Sequence, residues 1–382
     1  MAKTIHKITL VVTVFSFINI HALYAQCPNY LKDYAIEFEV NPREANLHWF
    51  KDARFGMFIH YGIYSQVGHG SWLQMVDTIP PKEYAKLKDT FNPNAFDAEF
   101  IARLAKKAGM KYITITTKHH DGFCLFKTNQ TEFNSINSPS KRDLIGEMAR
   151  ACENEGLGLF LYYSIGADWR HPYFYDRDIW EYARPAYPEK PEEYKYRKPE
   201  DFKKYIRFVQ AQLKELLTQY PGVAGIWFDP IKGVYAKPDF FPIEETYSMI
   251  RKLSSHALIS FKQGVNGDED FIAPEGRKEA KIEGGYNINT NFYEMNKDKP
   301  YEVCVTMQNR IKGTRYGGHS WAYNKTLTGH HKTVPEVMQL LKDSQEGHYN
   351  LLLNIGPLPD GSVHPEDIET LSNLQQEVRM KK

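Results

Sequence analysis

From residue 55 onward, short runs of β-branched and aromatic residues alternate with longer stretches whose apolar residues recur every three or four positions. The runs predict strands over Phe55–His60, Lys111–Thr117, Leu157–Ser164, Val223–Asp229, Ala257–Lys262, Val303–Met307 and Asn350–Gly356. The stretches predict helices over Ala98–Ala108, Leu144–Glu155, Phe202–Tyr220, Ile243–His256 and Val334–Ser344. In the longest of these Phe202, Tyr205, Ile206, Phe208, Val209, Leu213 and Leu216 make one apolar stripe. Strands separated by helices imply a parallel sheet. With an eighth strand, expected near Lys281, the seven would close a (β/α)8 barrel of the TIM type. An open doubly wound sheet accommodates seven equally, but no Gly-x-Gly-x-x-Gly or phosphate loop accompanies one.

Strand after strand ends on a chemically useful group. His60 closes the first, His119 and His120 follow the second, Tyr163 and Ser164 end the third, and Asp229 ends the fourth. Barrel active sites are built at the carboxyl ends of strands, so these termini converge on one candidate site. Asp229 closes the apolar run Gly225-Ile226-Trp227-Phe228-Asp229, where an unpaired carboxylate would be costly. It suits a nucleophile; as an alternative it caps the segment that Pro230 opens. A retaining glycosidase needs a second carboxyl about 5 Å away. Glu275, after Phe271-Ile272-Ala273-Pro274, is the first choice, with Glu283 and Glu302 behind it. His119, His120 and Asp121 can be read as metal ligands, but neutral imidazoles that grip sugar hydroxyls need no metal, and no metal or cofactor is expected. Between Pro172 and Asp201 runs a Tyr-rich stretch without apolar period. It is expected as a long loop over the barrel mouth, its aromatics either stacking on sugar or pinning the loop down.

Composition narrows the partners. The 382 residues carry 48 Lys+Arg against 47 Asp+Glu, which lacks the basic surplus of a nucleic-acid binder. Tyr, Phe and Trp make 14% of the chain, a surplus that suits sugar or aromatic ligands. Lys3 and Lys7 precede an apolar run, Ile8 to Ile20, too short for a membrane span, and Ala25 ends it with a cleavable small residue. Residues 1–26 therefore read as a secretory signal and residues 27–382 as the catalytic domain, exported to the periplasm or outside the cell. Cys27 raises a lipid anchor, which the bulk of Gln26 argues against. Cys124, Cys152 and Cys304 have no zinc-like spacing and read as free buried thiols.

In order along the chain, Trp49–Gly62, Thr117-Lys118-His119-His120-Asp121-Gly122-Phe123, Tyr162-Tyr163-Ser164, Trp227-Phe228-Asp229 and Asn350–Pro357 resemble the α-L-fucosidases of glycoside hydrolase family 29. The resemblance implies a retaining, exo-acting α-L-fucosidase on a (β/α)8-like barrel, acting on fucosylated oligosaccharides or glycoconjugates. It implies Asp229 as nucleophile, with His60, His119, His120, Tyr163 and Trp227 binding the terminal fucose. The Pro274-Glu275 motif resembles the branch acting on α-1,3/4 linkages and supports Glu275 as acid/base. Two positions depart from the family pattern. Ser71-Trp72 stands where many members have Glu before Trp, and Lys262 takes the place of a common Arg, giving a point charge instead of a planar fork. Members commonly continue into a β-sandwich, for which the chain after Gly361 leaves no room, so a single barrel is expected. A metal-dependent barrel hydrolase and a non-catalytic glycan-binding relative remain the alternatives.

Overall fold

The computed structural model describes residues 26–275 and 295–380. Seven strands, β1 (Phe55–Ile59), β2 (Tyr112–Lys118), β3 (Gly158–Ser164), β4 (Gly225–Asp229), β5 (Leu258–Ser260), β6 (Glu302–Thr306) and β7 (Asn350–Ile355), form one curled parallel sheet. Its order is β5-β4-β3-β2-β1-β7-β6. Between its edge strands, Phe271 bridges Ser260 of β5, while Ile272 and Glu275 bridge Tyr301 and Cys304 at β6, all in parallel. The strand expected near Lys281 lies outside the described residues, as does Glu283; among the described residues, 271–275 sit between the sheet edges.

Helices α1 (Pro42–Ala53), α2 (Ala98–Lys107), α3 (Leu144–Glu155), α4 (Pro199–Gln219), α5 (Ile243–Leu253), α6 (Val334–Glu346) and α7 (Pro365–Met380) carry the amphipathic patterns. Their starts are written locally: the Asn41, Asp97 and Asp143 side chains accept the N–H of Glu44, Phe100 and Gly146. Gly156, at φ 66°, ends α3 in the left-handed conformation that lets the chain turn into β3.

Alternation along each strand sorts side chains into two cores. Met57, Ile59, Ile113, Leu161, Tyr163 and Phe228 point outward to the helices. Phe58, Tyr112, Phe160, Tyr162, Trp227 and Leu352 point inward, where α1 supplies Trp49 and Phe50. The rings interlock at the floor: Phe50 lies 4.1 Å from Phe271 and 5.6 Å from Phe160, centroid to centroid. Gly158 is required here, since a Cβ would come within 2.2 Å of the Trp49 ring. Burial of one such side chain contributes about 1.5–3 kcal/mol, so the floor is a substantial part of the core. The four cysteines are free, and those at 124, 152 and 304 are buried. No helix among the described residues is long and apolar enough to cross a membrane.

Candidate active site

The carboxyl ends of the strands surround a cavity of about 270 Å³, at the small end of ligand pockets. His60, Trp72, His119, His120, Trp227, Asp229, Lys262 and Glu275 all line it, so the structure brings together eight of the nine residues picked out in the sequence. Tyr163 is not among them. Its hydroxyl donates to Gln212 Oε1 at 2.7 Å, and its ring lies 4.8 Å below Lys118, on the helix side of the sheet. The expectation is corrected by one residue: Tyr162 faces the cavity. The register explains it, because Tyr162 pairs with Trp227 and Ser164 with Asp229, so this parity shares the inward face.

Asp229 is 8% exposed, and its oxygens are engaged inside the cavity. Oδ2 accepts the Tyr162 hydroxyl at 2.8 Å and Oδ1 lies 3.2 Å from Lys262 Nζ. The short helix that follows Pro230 has no side-chain cap, so the capping alternative does not describe this carboxylate. Lys262 Nζ also binds Glu275 Oε1. One ammonium touching both carboxylates holds those oxygens no more than about 6 Å apart, a limit that admits the 5–5.5 Å between the carboxyl groups of retaining glycosidases. Lys262 sits at φ 50°, a left-handed conformation costing a β-unbranched residue roughly 1 kcal/mol, which the two ion pairs offset.

Charges in this cluster are set by burial and by Lys262. Burial pushes the Asp229 carboxyl up; Lys262 pulls it back only in part, so it stays above the ordinary carboxylate range. Partial burial opposes the charge on Glu275, whose side chain is 48% exposed, but the charge and hydrogen bond of Lys262 outweigh it and hold that carboxyl below its ordinary range. Burial opposes the charge on Lys262 as well, and the two carboxylates more than compensate, so the ammonium persists.

The imidazoles are neutral. Burial brings His60 down to about 4 and drives His119 and His120 well below their ordinary value. Hydrogen-bond partners fix two tautomers. Asn354 donates its amide to Trp321 O and Thr306 Oγ1, so its Oδ1 accepts from His60 Nδ1 at 2.7 Å. Ser164 donates to Ala167 O and therefore accepts from His120 Nδ1 at 2.8 Å. Each ring thus keeps a lone pair on Nε2, which in His120 lies 3.7 Å from Asp229 Oδ2. His119 stacks on Tyr162 at 5.5 Å and 8°, and its Nδ1 is buried without a partner. Such a set receives sugar hydroxyl protons and requires no ionisation. Among the described residues, the side chains that could share a metal ion are His331, His364 and Glu366, not His119, His120 and Asp121.

Aromatic walls complete the cavity. Trp72 meets His120 edge-on at 5.5 Å, and Lys262 Nζ lies 4.4 Å from the Trp227 ring centre. Phe58, Arg310, His319 and Trp321 also line it and were not identified from the sequence. The last three come from the aperiodic loop after β6, which offers no pattern to read. The Tyr-rich loop is pinned to the barrel: Tyr187 and Tyr194 donate to Ile79 O and Trp169 O, at 2.8 and 2.6 Å, and Arg184 stacks 3.9 Å from Tyr194. Of its aromatics, Tyr182 reaches Trp72, at 5.6 Å.

Glu302, the third carboxyl candidate, lies in the inner core below the cavity. Tyr112 Oη and Trp227 Nε1 donate to it at 2.5 and 2.9 Å, so it holds the Trp227 indole in place and does not face a substrate. Burial lifts it from 4.5 to about 7. A raised carboxyl favours the fold fully below pH 4.5 and loses that contribution as pH rises through 7. Glu302→Gln, which mimics the protonated form, is expected to gain thermal stability over wild type as pH climbs through this window. Glu302→Ala orphans two donors and leaves a void, costing about 3 kcal/mol. Thermal melts from pH 4 to 8 check both; parallel curves for wild type and the Gln variant would refute the assignment.

Two carboxylates brought within about 6 Å of each other at the carboxyl ends of strands are the pairing on which retaining glycoside hydrolases are built. Known proteins narrow that class. The chain belongs to the α-L-fucosidase family, whose model matches residues 23–379. α-L-Fucosidase isoenzyme 1 of Paenibacillus thiaminolyticus is similar at 32% identity and TM-score 0.70, over 89% of this chain and 76% of that one. A GH29 α-L-fucosidase of Bacteroides thetaiotaomicron, solved as a trapped covalent intermediate with 2-fluoro-fucosyl fluoride, is 27% identical at TM-score 0.68, over 88% and 74%. Plasma α-L-fucosidase of Rattus norvegicus is 26% identical over 340 residues, covering 82% of this chain and 65% of its own length. The chain spans about two thirds of the length of the curated relatives it matches.

Proposed function

We propose that this protein is a retaining exo-α-L-fucosidase that removes terminal α-linked fucose from glycans by double displacement, with Asp229 as nucleophile and Glu275 as acid/base. The observation that carries the reading is the Lys262 ammonium in contact with both carboxylates inside a monosaccharide-sized cavity. The covalent intermediate named for the Bacteroides relative supports it. Asp229 attacks the anomeric carbon as Glu275 protonates the departing glycosidic oxygen; Glu275 then takes a proton from water, which displaces Asp229 with net retention. His60 and His120 accept ring hydroxyls through Nε2, and Trp227 faces the sugar's apolar side. Lys262 holds the Glu275 carboxyl below its ordinary range, which favours the ionised form over the acid the reaction needs. The bound sugar must therefore come between them and let Glu275 take up its proton.

The bridges of residues 271–275 to β5 and β6 supply an eighth position, and the reading includes a closed (β/α)8-like barrel. It also includes export with removal of residues 1–26, and preference for branched α-1,3/4 substrates through Glu275. Proton NMR of an aryl α-L-fucoside digest is expected to show α-fucose first, with rates unchanged by a chelator. A panel of α-1,2-, α-1,3-, α-1,4- and α-1,6-fucosylated oligosaccharides is expected to favour branched α-1,3/4 members. First release of β-fucose sinks the retaining mechanism, and a preference for α-1,2 or α-1,6 sinks the linkage assignment.

A further inference from the structure

Away from the carboxylate pair, at the start of α6 and α7, His331, His364 and Glu366 can each bring one ligand atom within 4.8 Å of the others. His331 lies just before α6 and the other two open α7, so the cluster joins the segments that follow β6 and β7. The His331 side chain is 1% exposed and that of Asp367 is fully buried. His331 Nδ1 is bound to Asp367 Oδ1 at 2.6 Å, which fixes the ring and leaves Nε2 buried with no partner. The His364 ring stacks on it at 4.2 Å and 23°. Nδ1 of His364 accepts the Glu366 N–H at 3.3 Å, so it carries a lone pair, and it lies 3.6 Å from Glu366 Oε1.

A buried ring nitrogen without a partner is costly in a native core. Here it belongs to an imidazole whose other nitrogen is held by a carboxylate, the arrangement that orients histidine ligands in metal sites. Two imidazoles and a carboxylate suit zinc and its neighbours nickel and copper, and do not suit magnesium or calcium. Ligand atoms around a tetrahedral zinc, with bonds of about 2.0–2.1 Å, stand roughly 3.4 Å apart, so the cluster closes by an inward movement together with a turn of the His364 ring out of its stack on His331. The Glu366 side chain, 31% exposed, gives solvent access and can make that movement.

We infer that His331, His364 and Glu366 form a binding site for a zinc-class divalent cation, with Asp367 behind His331 as the positioning residue. The site is separate from the carboxylate pair. Glu366 already receives the backbone N–H groups of Gly329 and His331, at 2.8 and 3.3 Å, which end the loop bearing Arg310, His319 and Trp321. A bound cation ties that loop end to α7 and strengthens the fold around the cavity wall.

The test uses the untagged full chain, stripped with a chelator and titrated with zinc chloride by calorimetry and by equilibrium dialysis with metal analysis. One equivalent is expected to bind in the micromolar range or tighter and to raise the melting temperature, with magnesium and calcium giving no heat. His364→Gln and Glu366→Gln, each at a position outside the buried His331–Asp367 pair, are expected to weaken binding at least about tenfold, and Asp367→Asn by about 10–100-fold. Cobalt(II) is expected to give visible d–d bands that zinc displaces. Should His331→Gln fail to fold, the His364 and Glu366 variants decide. Absence of stoichiometric zinc binding, or binding unchanged in both variants, overturns the site.

Discussion

Asp229→Ala is expected to bind an aryl α-L-fucoside without turning it over, with kcat falling by at least about 10³-fold, some 4 kcal/mol of barrier. The geometry makes the expectation specific. Asp229 Oδ2 is held by Tyr162 and Oδ1 by Lys262, so the carboxylate has one orientation, and nothing else on the inward face of β4 can replace it. Loss of the side chain leaves Lys262 paired with Glu275, so the ammonium is not stranded and the fold should survive. Steady-state kinetics with sugar binding measured in parallel checks this. Turnover near wild type would remove Asp229 from the mechanism, and lost binding would make it a recognition residue.

Glu275→Ala should divide substrates by leaving group. Glycans, whose departing alcohol needs a proton, are expected to lose about 10²–10⁴ in kcat/KM. Aryl fucosides with activated leaving groups still form the covalent intermediate and then stall. Azide is expected to restore their turnover, giving a fucosyl azide, because an anionic nucleophile needs no base. Lys262 adds a pH signature. It holds Glu275 ionised in the free protein, so the alkaline limb of kcat/KM lies low. A bound sugar separates the pair, and the alkaline limb of kcat moves to higher pH. Rescue of Glu283→Ala in place of Glu275→Ala would transfer the acid/base role.

What could be read in advance depended on how much of each residue's setting was local. Parallel strands buried on both faces show as unbroken apolar runs, so the points where they stop, at His60, His119-His120 and Asp229, stood out. Tyr162 and Tyr163 are adjacent and chemically alike; telling them apart required the parity of β3 against β4, readable from Trp227 and Asp229 once the pairing is known. The 271–275 segment contains Pro274 and makes single bridges in place of a ladder, so it carries no strand signature although it presents Glu275. Arg310, His319 and Trp321 arrive on a loop whose course is set by distant contacts, such as Asn354 with Trp321 O. Glu302 was legible as a carboxyl but not as a buried one, because its burial depends on Tyr112 and Trp227 from other strands.

The aromatic floor has a kinetic meaning. Phe58, Tyr162 and Trp227 line the cavity from below and rest on the packed rings of Trp49, Phe50 and Phe160. Among the described residues the cavity is therefore closed from below, and a ligand reaches it from the carboxyl ends of the strands. On the function proposed above, the end of a sugar chain would be what reaches the bottom, and internal residues would be passed over. By the same proposal the remainder of the glycan, nearest the mouth, would leave first, and the released monosaccharide last. Free sugar would then meet the protein as a rival of the next chain end, which would couple the pace of trimming to how quickly its own product is carried away.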